Sequence, residues 1–132
     1  MPENGDGRSD ALRSCDDNRD GSMRLYALDA WVRHAAILVD AERLRATLYA
    51  GAEAGGATVV GEEFHVFPNG AVTGVLVLAQ SHLSIHTWPE HALANVDLLS
   101  YGDVRGEWVL QAICERLETE RVHVECIPRA IG

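Results

Sequence analysis

Apolar and polar positions along the 132-residue chain fall into blocks whose period changes from one block to the next. Residues 1–22 (MPENGDGRSDALRSCDDNRDGS) have no period, and Asp, Asn, Gly, Ser and Arg dominate them. Such a stretch buries too little apolar surface to offset the entropy of ordering it. A disordered tail over 1–22 is therefore expected ahead of one domain over 23–132. Residues 31–39 are mostly apolar and are expected as a strand ended by Asp40. Asp40 can cap a helix over AERLRATLYAGAEAG, in which Leu44, Leu48 and Ala52 recur at helical spacing and Gly55-Gly56 supplies the stop. Three short apolar runs follow, ATVVGEEFHVF, AVTGVLVLA and SHLSIHTW, with Pro68-Asn69-Gly70 as the turn between the first two. NVDLLSY predicts a further strand. Leu110, Ile113, Cys114 and Leu117, at i, i+3, i+4 and i+7, define the buried stripe of a second helix over 106–119. RVHVECI then alternates, with Val122, Val124 and Cys126 on one face.

The order is β-α-β-β-β-β-α-β, with hairpins in the middle. It predicts an α+β fold: an antiparallel sheet with two helices on one face, an α/β sandwich. The other sheet face is left open, and pairing with a second subunit is the expected way to cover it.

Composition narrows the partners. Twenty Asp plus Glu against eleven basic residues, all arginine, leave a formal charge of −9, which argues against a nucleic-acid backbone or an anionic membrane. No apolar run approaches spanning length and no apolar leader opens the chain, so the cytoplasm is the expected location. With 47% hydrophobic residues the domain can bury a core. Cys15, Cys114 and Cys126 are expected as free thiols rather than as a disulfide framework.

Reactive side chains concentrate in one stretch, Gln80-Ser81-His82-Leu83-Ser84-Ile85-His86-Thr87-Trp88-Pro89-Glu90-His91. As a strand it puts Leu83 and Ile85 on one face and His82, Ser84 and His86 on the other. A half-exposed strand with a polar outer face accounts for the pattern about as well as chemistry does, taken on composition alone. His82 and His86 have the i, i+4 spacing of a helical zinc pair, but the glutamate of H-E-x-x-H is missing, and on a strand they lie about 13 Å apart, too far to share one ion. No metal is expected. Ser81 lacks the G-x-S-x-G elbow of a hydrolase, and no Gly-rich loop follows a strand to cradle a phosphate.

SHLSIHTWPE resembles the self-processing segment of the bacterial S-adenosylmethionine decarboxylases, whose usual form is E-S-H-[IL]-x-I-H-T-W-P-E. The resemblance continues upstream through GATVVGEEFHVFPNGAVTGVLVLAQ and downstream through ALANVDLLSYG, which is similar to that family's A-x-V-D-x-F-x-C-G. It covers about residues 30–127.

The resemblance implies a proenzyme that makes its own cofactor. The Ser81 hydroxyl attacks the Gln80 carbonyl, the amide becomes an ester, and β-elimination breaks the chain between Gln80 and Ser81. Residues 1–80 and 81–132 become two fragments, and the second begins with a dehydroalanine that water hydrolyses, with release of ammonia, to a pyruvoyl group. That carbonyl forms a Schiff base with the substrate amine and accepts electrons as carbon dioxide leaves. His86 matches the histidine that assists processing, and Thr73 a serine that hydrogen-bonds during it. Phe67 and Trp88 match the aromatics that stack on the adenine, and Glu90 the carboxylate that holds the ribose hydroxyls. Taken singly, each of these residues also has a structural reading: core packing for Phe67 and Trp88, a β-branched strand residue for Thr73, a hydrogen-bonded histidine for His86. The family's site lies at a dimer interface, so a homodimer of processed two-fragment (αβ) units is implied.

Two positions depart from the family. Gln80 stands where the family has Glu, and its carbonyl rather than its side chain is attacked. Tyr101 stands where the family has the cysteine that reprotonates the substrate carbon, and tyrosine's ordinary pKa is about 10 against about 8.5 for cysteine. The leading function is decarboxylation of S-adenosylmethionine for spermidine synthesis. A pyruvoyl decarboxylase of ornithine or arginine on the same fold is the first alternative, and a non-catalytic paralogue acting as a partner subunit the second.

Overall fold

The computed structural model describes residues 23–130. The expected tail over 1–22, Cys15 within it, and the last two residues lie outside the described residues. Six strands form one antiparallel sheet: β1 (Met23–Val32), β2 (Val59–Val66), β3 (Val72–Leu78), β4 (Ser81–Trp88), β5 (Leu93–Ser100) and β6 (Thr119–Arg129). They lie in the order β2-β3-β4-β5-β1-β6. Helices α1 (Ala41–Ala54) and α2 (Gly106–Leu117) cover one face. The α+β sandwich expected from the pattern is the fold observed.

Alternation puts Tyr26, Leu28, Ala30 and Val32 of β1, Leu83 and Ile85 of β4, and Ala94, Val96 and Leu98 of β5 beneath the helices. Leu44, Leu48 and Ala52 of α1 and Leu110, Ile113, Cys114 and Leu117 of α2 meet them, as their helical spacing requires. The helices approach closely at Gly51, where an added Cβ would fall 2.7 Å from the Ile113 side chain. Asp40 caps α1 by accepting from the Arg43 N–H at 3.1 Å.

Two expectations are corrected. The first strand is Met23–Val32, and Ala35–Val39 forms a 3₁₀ turn instead. The alternation Tyr26-Leu28-Ala30-Val32 marks the half-buried strand, whereas the continuous run AAILV only docks Ile37 and Leu38 onto the core. The expectation of free thiols fails at Cys126, which is disulfide-bonded, while Cys114 is a buried thiol outside any disulfide. Cys126 is half-buried on β6, an edge strand, so its sulfur is less enclosed than the alternation implied.

Candidate active site

Strand register places a row of polar side chains across the helix-free face. His65, Thr73, His86, Asn95, Asp29 and His123 are successive cross-strand neighbours from β2 to β6. Within this row the Thr73 hydroxyl lies 3.1 Å from Nδ1 of His86. That bond ties one ring nitrogen and leaves Nε2 for proton transfer. Asn95 donates from Nδ2 to Asp29 Oδ1 at 2.8 Å, and accepts at Oδ1 from the Trp88 indole N–H at 2.6 Å.

A cavity of about 360 Å³ opens beside the row, lined by Phe67, Asn69, Ala71, Thr73, His86, Thr87, Trp88 and Glu90. Its size suits a small-molecule site. Phe67 and Trp88 keep 42% and 45% of their surface exposed, so neither is spent on the core. Phe67 is set by the β2–β3 turn, where its N–H donates to the Ala71 carbonyl and Gly70 takes φ 90°. His65 packs against it edge-on, with ring centroids 4.6 Å apart. Glu90 sits exposed on a 3₁₀ turn, Pro89–His91, that follows Trp88. Thr87 secures the floor: its buried hydroxyl accepts from the Val72 N–H and donates to the Leu38 carbonyl, both at 2.8 Å. Five of the residues singled out in the sequence, Phe67, Thr73, His86, Trp88 and Glu90, therefore meet in one cleft.

Ser81, Gln80 and Tyr101 do not join them. Ser81 opens β4 whereas Trp88 closes it, a separation of seven residues or about 23 Å, and His86 is about 17 Å from Ser81. Tyr101 follows the end of β5 at the same end of the sheet as Ser81, two residues beyond Leu99, the cross-strand partner of His82. The Ser81 hydroxyl donates to the Leu99 carbonyl. Ala79 and Gln80 form a two-residue turn between β3 and β4, and Gln80 takes φ 64°. A non-glycine residue in this left-handed region costs about 1–2 kcal/mol.

Sequence reasoning missed Asn69, Ala71, Asn95 and Asp29. Asn69 carried a signal, since it lies in the Pro-Asn-Gly turn; its Oδ1 accepts from the Ala71 N–H at 3.1 Å. Asn95 and Asp29 become site neighbours only through register, which no local pattern discloses.

The family model described as S-adenosylmethionine decarboxylase matches residues 24–130. The S-adenosylmethionine decarboxylase proenzyme of Thermosipho africanus is 42% identical over 89 residues, which are 67% of this chain and 68% of that protein. The proenzyme of Pseudomonas paraeruginosa is 35% identical over 94 residues, 70% of this chain and 59% of that protein. The crystal structure of the adenosylmethionine decarboxylase from Aquifex aeolicus superposes with a TM-score of 0.77 at 28% identity, covering 86% of this chain and 95% of that one.

Proposed function

The chain belongs to the S-adenosylmethionine decarboxylase family, and on that premise we propose that it cuts itself before Ser81 and decarboxylates S-adenosylmethionine as a cytoplasmic homodimer. The observation that carries the substrate is the single cleft holding Phe67, Trp88 and Glu90. Two exposed aromatic faces suit a flat purine, and a carboxylate beside them accepts from two ribose hydroxyls.

The residues around Ser81 suit a pyruvoyl group. The cut would fall at the edge of the strained turn, between Gln80 and Ser81, the first paired residue of β4. Both new ends therefore stay held by the sheet, and the strain at Gln80 is released. A pyruvoyl group supplies a carbonyl that captures the substrate amine and accepts the electron pair left when carbon dioxide departs. Ser81 Oγ is the atom that attacks the Gln80 carbonyl. His86, tied through Nδ1 to Thr73, is the proton carrier for processing.

The distance between Ser81 and the cleft supports the dimer. One protomer cannot bring its own Phe67, Trp88 and His86 to its own Ser81. Two open sheet faces stacked about a two-fold axis would set the Ser81 end of one against the cleft end of the other. Each site would then draw Ser81 and Tyr101 from one protomer and the cleft residues from its partner.

A decarboxylase of ornithine or arginine is the second reading, favoured by Tyr101 in place of the family's proton-donating cysteine. Intact mass of the purified protein tests self-cutting directly; a chain that stays whole on prolonged incubation removes both enzymatic readings. Carbon dioxide released from labelled S-adenosylmethionine, with none from ornithine or arginine, decides between the substrates.

A further inference from the structure

We propose that Asn95, oriented by Asp29, is a positioning residue that fixes the tilt of the Trp88 indole at the wall of the cleft. The proposal rests on the reading of that cleft as the site for a flat heteroaromatic ring. Trp88 is the last residue of β4 and is 45% exposed, so packing covers only part of its ring. Its one anchoring bond is the indole N–H to Asn95 Oδ1, at 2.6 Å. An exposed ring without such a tether samples several rotamers, and a ligand that needs one of them must select it at a cost in affinity.

The direction of the chain of bonds is forced. An indole can only donate and a carboxylate can only accept. Asn95 must therefore turn its nitrogen to Asp29, 2.8 Å away, and its oxygen to Trp88. Asp29 and Asn95 are direct cross-strand partners on β1 and β5, so the sheet itself sets the spacing. Asn95 is also the cross-strand partner of His86. One row of the sheet thus sets the indole through Asn95 and holds the histidine through Thr73, and the two can be separated by substitution.

Three variants test this: Asn95→Ala, Asn95→Asp, and the exchange of Asn95→Asp with Asp29→Asn. The first removes the tether. The second keeps an acceptor for the indole but sets two carboxylates against each other. The exchange restores a donor–acceptor chain running from position 29 and from the indole into one carboxylate. Each is assayed for extent of self-cutting, for KM and kcat with S-adenosylmethionine, and for hydrogen exchange of the Trp88 indole N–H by NMR, assigned with Trp88→Phe. For Asn95→Ala the expected result is normal cutting, a KM raised about tenfold with kcat changed less than about twofold, and faster indole exchange. The exchange variant should recover most of the KM and the slow indole exchange.

An Asn95→Ala protein with wild-type KM and wild-type indole exchange overturns the proposal. So does a fall in kcat, KM unchanged, that the exchange variant fails to restore, since that pattern belongs to a structural residue. If the wild-type protein cuts itself but does not consume S-adenosylmethionine, the cleft reading fails instead. The indole exchange then still decides whether Asn95 holds Trp88.

Discussion

The separation of Ser81 from His86 predicts which protomer's histidine serves which serine. The two residues are five apart on the continuous strand β4, about 17 Å. Proton transfer needs heavy atoms within about 3 Å, or one bridging water. Within a protomer, then, His86 cannot act on Ser81. Ser81→Ala alone should remain whole, and His86→Ala alone should be cut slowly or not at all. Co-expressed at equal levels with different tags, the two chains pair at random, and about half of the His86→Ala chains meet a Ser81→Ala partner. That partner carries an intact His86, so its neighbour's Ser81 should be processed. Heterodimers isolated through both tags are analysed by denaturing mass spectrometry. The His86→Ala chain should appear as two fragments and the Ser81→Ala chain as one. Heterodimers in which the His86→Ala chain stays as intact as in its homodimer would refute service across the interface. Cutting of His86→Ala at the wild-type rate in its own homodimer would remove His86 from processing altogether.

Trp88→Ala should weaken S-adenosylmethionine binding by about 1–3 kcal/mol, the range for one base on one aromatic ring, and isothermal titration with the matured protein measures it. Tyr101→Cys should preserve or raise S-adenosylmethionine turnover, because it restores the family's proton donor; a carbon dioxide assay in which turnover collapses contradicts that alignment. Thr87→Val strands the Val72 N–H and the Leu38 carbonyl, and should destabilise the fold by about 2–3 kcal/mol in denaturant titration. Hydrogen bonds from Arg45 and then Tyr49 hold the Glu62 carboxyl below the usual carboxylate range. A depressed pKa contributes stability above the unfolded value that is lost as pH falls through the folded one. Glu62→Gln should therefore lower the melting temperature near neutrality and leave it unchanged in strong acid.

Much of the architecture was legible because period and burial agree. Leu110, Ile113, Cys114 and Leu117 form a helical stripe in the sequence and a buried stripe in the fold. The strand over SHLSIHTW was legible for the same reason, with Leu83 and Ile85 buried and His82 and His86 only partly so. The first strand was not, since the apolar run AAILV competes with the true alternation in MRLYALDAWV, and a continuous run has no period to separate strand from 3₁₀ turn. Phe67, from the segment upstream of the motif around Ser81, and Trp88 and Glu90, within it, line one cavity. The strand spacing that sets His82 and His86 about 13 Å apart also sets Trp88 at the other end of β4 from that serine. Contiguity along a strand is distance in space, about 3.3 Å for every residue. On the proposed dimer, a motif that looks like one site would be two half-sites.

On that proposal, two half-sites on one strand would tie the chemistry to assembly. A lone protomer has the serine, the strained turn at Gln80 and a cleft, but its His86 lies about 17 Å along β4 from the serine. On the dimer reading, a precursor gains its proton carrier only when a second copy covers the open face. The precursor therefore folds and pairs before it is cut. This order suits the fold: β3 and β4 are joined through the very turn that is later broken, so the covalent hairpin sets their register before the link is lost. After such a cut the fragments would stay joined by the β3–β4 pairing, by β1 of the first fragment between β5 and β6 of the second, and by the core that the helices share with them. The left-handed strain at Gln80 is then a feature of the precursor alone. On the proposed reading it would burden the uncut chain by about 1–2 kcal/mol and be absent from the product, which would favour cutting and oppose its reversal.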